Sequence, residues 1–504
     1  MAESAFDDAG PYARQQAGKP DVKTHYDIVI IGAGPAGQKA AIVAAEYGAL
    51  TLVIDEQPSP GGQIFRSIEN SPLVDAEVLG SQYLQGRKLA SEFRNAAVDY
   101  VNGASVWDVT HSGDIFYSRE GQSYQVHGKH LIIASGARER AFPISGWTLP
   151  GVMMAGAAQI MLKSSAAVAD NAVFVGLGPL LYQVIHQYVS AGVPVAAIVD
   201  TTPMGNYLRA LGKATGAIAG LEYLTKGIGW IHDIRAAKIP IYNGADGVEL
   251  YGSERVEGIR FNSRGHRHTI ATESVFLHQG VIPNVSLTQL LECEHYWSPL
   301  QKCWCVKTDE WCRTSVDGIS VAGDGARIGG ATAATASGAI AAIGALRALG
   351  RIDGPKQKSI AGQYLIVARR ESKFRLFIDT LYQPPQSDRV PENGETLVCR
   401  CEEISAQAIN DLIDMGCTAP NELKSYTRCG MGPCQGRFCG STISEMIALR
   451  REMPLAEVGY FRLRPPLKPI SLGEMAALSG DIDRSTVGFS GNLDSRPVVT
   501  PAKT

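Results

Sequence analysis

The chain has 504 residues, 45% of them hydrophobic and 19% charged, a size that calls for two to four folded units with large buried cores. Its formal net charge of -3 gives no electrostatic reason to expect a nucleic-acid partner. Four of the ten cysteines lie between 293 and 312 and six between 399 and 439, and residues 1–24 are polar without an apolar leader. A cytoplasmic protein is therefore expected, in which clustered thiols bind metal more readily than they form disulfides.

Residues 1–24 read as a flexible tail. Tyr26 to Ile31 is an apolar strand, and Gly32-Ala33-Gly34-Pro35-Ala36-Gly37 follows at once. The alanine-rich stretch Gln38 to Tyr47 predicts a helix, and Leu50 to Ile54 a second strand. This βαβ unit implies a parallel sheet. Gly32 permits the tight turn, Gly34 lets a pyrophosphate approach the backbone, and Gly37 lets the helix pack on the strand. The helix start offers unpaired N–H groups and partial positive charge to phosphates. Asp55, eighteen residues after Gly37, is placed to accept from ribose hydroxyls, with Glu56 as the adjacent alternative.

A second unit begins about 144 residues later, with strand Ala172 to Val175, turn Gly176-Leu177-Gly178-Pro179, helix Leu180 to Ser190 and strand Val195 to Val199. Its third fingerprint position is Leu181 instead of glycine, so binding of NAD(P) there is doubtful. Asp200 could meet a ribose hydroxyl, and no arginine follows it for a 2′-phosphate. The expected layout is a nucleotide-binding unit from 25–150 and 275–350, with a degenerate one, 151–274, inserted. Ala331 to Leu349 is apolar, but its alanine, glycine and threonine content reads as a buried helix and not a membrane span. A connector over 351–394, a cysteine module over 395–450 and a proline-rich wrap over 451–504 complete the chain.

Two further segments bear on the cofactor. Leu131 to Ala137 ends a strand in the small-residue turn Ala134-Ser135-Gly136, and Val316 to Asp324 ends a strand in Gly323-Asp324. With His278-Gln279-Gly280-Val281-Ile282-Pro283-Asn284, these resemble the ordered motifs of the flavoproteins with two dinucleotide-binding domains. The resemblance implies an α/β fold of glutathione-reductase type, with two Rossmann-like domains. It also implies FAD in the first of them, with Asp324 toward its ribityl chain and diphosphate. That superfamily's redox Cys-x-x-Cys and Cys-x-x-x-x-Cys pairs are missing from 1–292, so disulfide reductase activity is not expected. Cys303, Cys305 and Cys312 read as ordinary thiols.

The C-terminal cysteines are sharper. Cys399-Arg400-Cys401 opens a module that closes on Cys429-Gly430-Met431-Gly432-Pro433-Cys434-Gln435-Gly436-Arg437-Phe438-Cys439. Paired soft thiolates suit zinc or iron–sulfur. The module resembles the bacterioferritin-associated ferredoxin-like [2Fe–2S] domain, a small helical unit. That resemblance implies a cluster on Cys399, Cys401, Cys434 and Cys439, with Cys429 as the alternative member of the second pair.

The whole order, with Gly61-Gly62-Gln63-Ile64 and Gly146-Trp147-Thr148-Leu149-Pro150-Gly151-Val152 in support, resembles one group. These are the A or alpha subunits of opine oxidases, hydroxyproline and proline dehydrogenases and heterotetrameric sarcosine oxidase, and the B subunit of hydrogen cyanide synthase. The resemblance implies a partner flavoprotein subunit of D-amino-acid-oxidase type that oxidises a C–N bond, a small additional subunit in some members, and a one-electron acceptor. Some members hold FMN where two subunits meet. Gly62 and Gln63 join the expected FAD contacts. A flavin accepts two electrons and releases them singly, which matches a one-electron cluster on the same chain. No catalytic acid or base is recognisable beside the flavin motifs. Two other readings stand beside this one: a self-contained NAD(P)H-dependent ferredoxin-type reductase, and an iron–sulfur sensor that needs no flavin.

Overall fold

The computed structural model describes residues 22–73 and 76–478. Most of the expected N-terminal tail, and the wrap beyond 478, lie outside the described residues. The first strand, His25–Ile31, is buried from Tyr26 onward, with no alternation of exposed positions. Both of its faces are covered, which is why the run is apolar throughout. It pairs in parallel with Thr51–Ile54 on one side and with Gln122–Ile133 on the other. The sheet has seven strands: Asp99–Val101, Thr51–Ile54, His25–Ile31, Gln122–Ile133, Asp114–Arg119 and Ser105–Val109 in order, with Ile319–Val321 added in parallel to Gln122–Ile133.

The helix Pro35–Glu46 and the alanine-rich helix Ala331–Ala348 cover one face of this sheet, where their side chains form a common core with Ile28, Ile30 and Val53. Small residues let the two helices approach closely. A Cβ added at Gly338 would lie 2.1 Å from the backbone oxygen of Ala36. The second helix is buried from Gly338 to Leu346, as its composition predicts. Among the described residues no helix is long and apolar enough to cross a membrane.

The second sheet is parallel throughout, in the order Ile241–Asn243, Val195–Asp200, Ala172–Leu177, Val275–Gln279 and Val152–Met154. Val275–Gln279 therefore belongs to this sheet, and the return to the first sheet follows Gln279. The expectation that the return begins at 275 is corrected by this pairing. A three-stranded antiparallel layer, Asp246–Tyr251, Gly258–Ser263 and His266–Ala271, shares a core with the second sheet. The two crossings between units pair with each other as a short ribbon, Ala137–Glu139 against Val281–Pro283.

The connector is mostly one long helix, Gly354–Leu381, started by Asp353, whose side chain accepts from the Lys356 N–H. The cysteine module carries the helices Ala406–Asp414, Pro420–Thr427 and Gly440–Arg450. Its core is continuous with the other face of the first sheet: Val398, Ile409, Ile413 and Ile443 cluster with Leu287, Leu291 and Val321. Replacing Gly338 by valine should force the two small-residue helices apart and destabilise the protein by about 1–3 kcal/mol. Chemical denaturation followed by circular dichroism measures this, and an unchanged midpoint would contradict the packing account.

Candidate functional site

Gly32 has φ +106°, and a Cβ there would lie 2.4 Å from the Ala134 oxygen. A Cβ on Gly37 would lie 1.8 Å from the Gly32 oxygen. The turn can therefore close only with glycine at both positions. The next loop packs directly on it: the Gly61 N–H donates to the Ala33 oxygen at 2.9 Å, and a Cβ on Gly62 would lie 2.9 Å from the Gly34 Cα. Gly34 is the N-cap of the following helix and provides no side-chain cap. The helix start therefore faces an open cavity with its N–H groups available to an anion.

That cavity has a volume of about 890 Å³, within the range of ligand pockets. Of the fourteen expected cofactor residues, twelve line it: Gly32, Gly34, Pro35, Ala36, Asp55, Glu56, Gly62, Gln63, Ala134, Ser135, Gly136 and Asp324. Gly37 and Gly323 lie behind the wall, where they set the packing. The Asp324 carboxylate accepts from the Gly329 N–H at 2.8 Å and the Gly330 N–H at 3.0 Å, which shapes the entry to the alanine-rich helix.

Asp55 differs from its expected role. One carboxylate oxygen accepts from the Ala33 N–H and the other from the Gln57 N–H, the latter at 2.6 Å. Asp55 thus braces the glycine turn from within, and burial raises its pKa against the pull of these amides. Glu56 forms an ion pair with Lys468 at the edge of the cavity. Burial opposes its ionisation, but Lys468, then Arg437 and Arg66, hold its carboxyl below the ordinary value.

Sequence reading missed a buried lysine. Lys163 donates to the Ile64 oxygen at 2.8 Å and the Gln159 side-chain oxygen at 2.9 Å, fixing the Gly61–Ile64 loop. Burial pulls its pKa down to about 7. Nothing in its sequence neighbourhood, an ordinary amphipathic helix, marks it.

The second glycine turn opens into the same cavity, through Gly178 and Pro179. Here the strand-end carboxylate is already engaged. Leu181 is fully buried, and the Tyr182 hydroxyl donates to Asp200. The other Asp200 oxygen accepts from the Thr202 N–H at 2.7 Å, and the side chain is almost entirely buried. The carboxylate expected to meet a ribose is satisfied internally, which corrects that expectation. His278 packs beside Gly178, its Nδ1 2.6 Å from a Glu139 oxygen, and the other Glu139 oxygen accepts from the Gly156 N–H at 2.8 Å. The Gln279 amide bridges Thr201 and Asp388 at 2.9 and 2.7 Å. Asp388, brought in by the connector, has its pKa pushed up by burial to about 7.

The cysteine module forms the remaining wall. Arg400, Arg437 and Phe438 line the cavity, and each lies within three residues of a module cysteine. The Arg400 guanidinium lies 5.3 Å from the centre of the Trp147 ring, whose indole N–H donates to the Leu397 oxygen at 2.7 Å. Behind this wall the sulfurs of Cys399, Cys429 and Cys439 lie within 4.8 Å of one another, all buried. Hydrogen bonds, first from the Cys429 thiol and then from Cys439, hold the Cys399 pKa down to about 2. Cys401 pairs with Cys434 alongside, and burial raises its pKa. Of the four expected ligands the structure thus groups Cys399 with Cys439, sets Cys401 and Cys434 beside them, and adds Cys429 to the centre. Cys303 and Cys305 are buried with sulfurs 3.9 Å apart, and Cys312 lies apart from them.

Several cavity side chains carry buried polar atoms without a partner: Arg66 Nε, Arg138 Nε and Nη1, Gln279 Oε1 and Arg375 Nε. Such orphans are costly unless a ligand meets them. An anionic ligand with several hydrogen-bonding groups fits this donor set, the glycine cradle and the bare helix start. FAD has that character, and the crowded thiols fit a thiophilic metal centre.

Comparison with known proteins agrees with this geometry. The family model described as pyridine nucleotide-disulphide oxidoreductase matches residues 26–338, and the sarcosine oxidase A3 domain matches 393–479. The A subunit of opine oxidase from Agrobacterium tumefaciens (strain Ach5) is 41% identical over 91% of this chain and 93% of its own length. The HcnB subunit of hydrogen cyanide synthase from Pseudomonas aeruginosa is 29% identical over 88% of this chain and 96% of its own. Among solved structures, L-proline dehydrogenase from P. horikoshii shares the fold, with a TM-score of 0.65, 19% identity and coverage of 90% of this chain and 80% of that one.

The Asp388 carboxyl gives a pH test. Its pKa is raised on folding, so the folded state holds a proton that the unfolded chain has lost between about pH 4 and about pH 7. Its contribution to stability should fall as pH rises through that window and level off above it. Denaturation across pH should show this slope reduced in Asp388→Asn, and an identical slope in the two proteins would contradict it.

Proposed function

The chain belongs to the pyridine nucleotide-disulphide oxidoreductases and, within them, to the family of the opine oxidase A subunits, and from this we propose that it is the electron-transfer subunit of an amine- or opine-oxidising complex. As a flavin-dependent oxidoreductase it would hold FAD across the first glycine turn. In the reading we favour, a second flavoprotein subunit, of D-amino-acid-oxidase type, converts a substrate C–N single bond to C=N, and the two electrons released pass to this chain. When bound, FAD takes up electrons in pairs and returns them one at a time, and a [2Fe–2S] cluster carries one. The residues' work is positional. The glycine turn and its helix start bind the diphosphate, and Asp55 and Lys163 keep the two loops rigid. The Ser135 hydroxyl, donating to the Asn284 oxygen at 2.9 Å, ties the flavin end to the ribbon between units.

The observation that carries this reading is the shared wall: Arg400, Arg437 and Phe438 face the flavin cavity from loops whose neighbouring cysteines gather behind them. The resemblance puts Cys399 and Cys401 in the ligand set, and Cys429, Cys434 and Cys439 compete for the other two places, with Cys429 and Cys439 both beside Cys399. Serine substitution with iron and sulfide analysis decides among them. Loss at Cys399 and Cys401 should be complete, and of Cys429, Cys434 and Cys439 the two whose serine variants lose iron complete the set. Full iron retention in Cys399→Ser would contradict cluster binding here.

The NAD(P)H-dependent reductase reading meets a specific obstacle, since Tyr182 occupies the ribose-binding carboxylate Asp200. NADH should therefore leave the flavin spectrum of the purified chain unchanged under anaerobic conditions. The function itself is tested with a panel of secondary-amine acids and an artificial dye. The isolated chain should reduce no dye, and the chain together with its partner flavoprotein should. Full-rate oxidation of such a substrate by the isolated chain would overturn the proposal.

A further inference from the structure

Three consecutive helices leave the second sheet after Val195–Asp200: Met204–Leu211, Ala214–Ala219 and Leu221–Ala236. They hold Met204, Leu208, Leu211, Ile218, Leu221 and Ile228 between 61% and 75% exposed. Helices on a solvated surface carry polar residues on their outer face. Six large apolar side chains turned outward within twenty-five residues mark an interaction surface, because soluble chains rarely present such groups together.

The charge around them is one-sided. Residues 204–238 contain five Lys or Arg against two Asp or Glu, although the whole chain has a net charge of -3. Both carboxylates are engaged, Glu222 by Arg370 at 3.2 Å and Asp233 by His186 at 3.1 Å. Exposed Lys213, Arg235 and Lys238 make no ion pair among the described residues. An occupant of this face would present apolar groups bordered by acids. A second copy of the same basic face across a two-fold axis would meet like charge.

The face also adjoins the rim of the cavity. Tyr223, on the third helix, stacks on Phe374 of the connector helix with ring centres 5.0 Å apart, and its hydroxyl lies 3.1 Å from that of Thr332. Ala331, the preceding residue, lines the cavity. The connector helix reaches both ways, with Arg375 and Asp379 lining the cavity and Leu376 turned outward. A protein seated on these helices would therefore stand at the cavity mouth.

We propose that the helices over 204–236 are the docking seat of the substrate-oxidising subunit, which meets them with an apolar patch and an acidic rim. This rests on the reading of the chain as one subunit of an amine-oxidising complex. The closing experiment uses the full chain and the recombinant substrate-oxidising flavoprotein of the same complex. The wild type is tested first: a complete failure to bind that flavoprotein would overturn both the subunit reading and this seat. Given binding, the triple variant Leu208→Glu, Leu211→Glu, Ile218→Glu should raise Kd by more than about tenfold, with flavin content and melting temperature unchanged. Hydrogen exchange on the wild type gives a second measurement, and residues 204–228 should gain protection when the flavoprotein is added. Equal affinity of the variant, or no protection there, would overturn the seat while leaving the subunit reading intact. It would also be overturned if this segment were protected only by phosphatidylglycerol vesicles, or only by self-association of the chain in sedimentation.

Discussion

The cysteine module and the first sheet bury their apolar side chains in one core. Val398, Ile409, Ile413 and Ile443 share one buried cluster with Val29, Ile133 and Val321 of the sheet. At roughly 25 cal/mol for each Å² of apolar surface removed from water, such a core fixes the module in place more firmly than any single contact. The Arg389–Glu445 ion pair and the Trp147 indole bond to Leu397 add direction to that adhesion. Everything proposed about electron transfer follows from this constraint. A module that rode on a flexible linker could not keep its cysteine loops as a standing wall of the flavin cavity.

The two nucleotide folds show how one architecture diverges. In the first, the turn is closed by backbone contacts that tolerate only glycine, and the space above the helix start is left open. In the second, Leu181 is buried in the core beneath the helix, and Asp200 is satisfied by a tyrosine hydroxyl and a backbone amide. The connector brings in Asp388, which accepts from the Gln279 amide. The helices that leave the second fold carry apolar side chains outward.

Much of the fold was legible in the sequence because it rests on local rules. The glycine fingerprint, the apolar runs and the small-residue helix each carry their own period or spacing, and each appears where expected. The bound at 275 falls short because Val275–Gln279 pairs with the second sheet, a long-range choice that an apolar run does not encode. Asp55 lies at the cavity, but its role depends on which way its carboxylate turns, and its bond from the Ala33 amide settles that. Lys163, and the pairing of His278 with Glu139, gave no signal, since their partners lie about a hundred residues or more away in sequence. In the module, spacing alone could not rank three cysteines for two places, and folding brings Cys429 beside Cys399 as closely as Cys439.

The most direct test of the account is a rapid-freeze experiment on the intact complex, mixed anaerobically with a substrate it oxidises. Low-temperature electron paramagnetic resonance would follow the cluster, and absorbance would follow the flavin. The account predicts that the reduced-cluster signal rises within a single turnover and only after flavin absorbance has begun to fall. A flavin that bleaches fully while the cluster stays oxidised, or a preparation with no iron and no acid-labile sulfide, would contradict it.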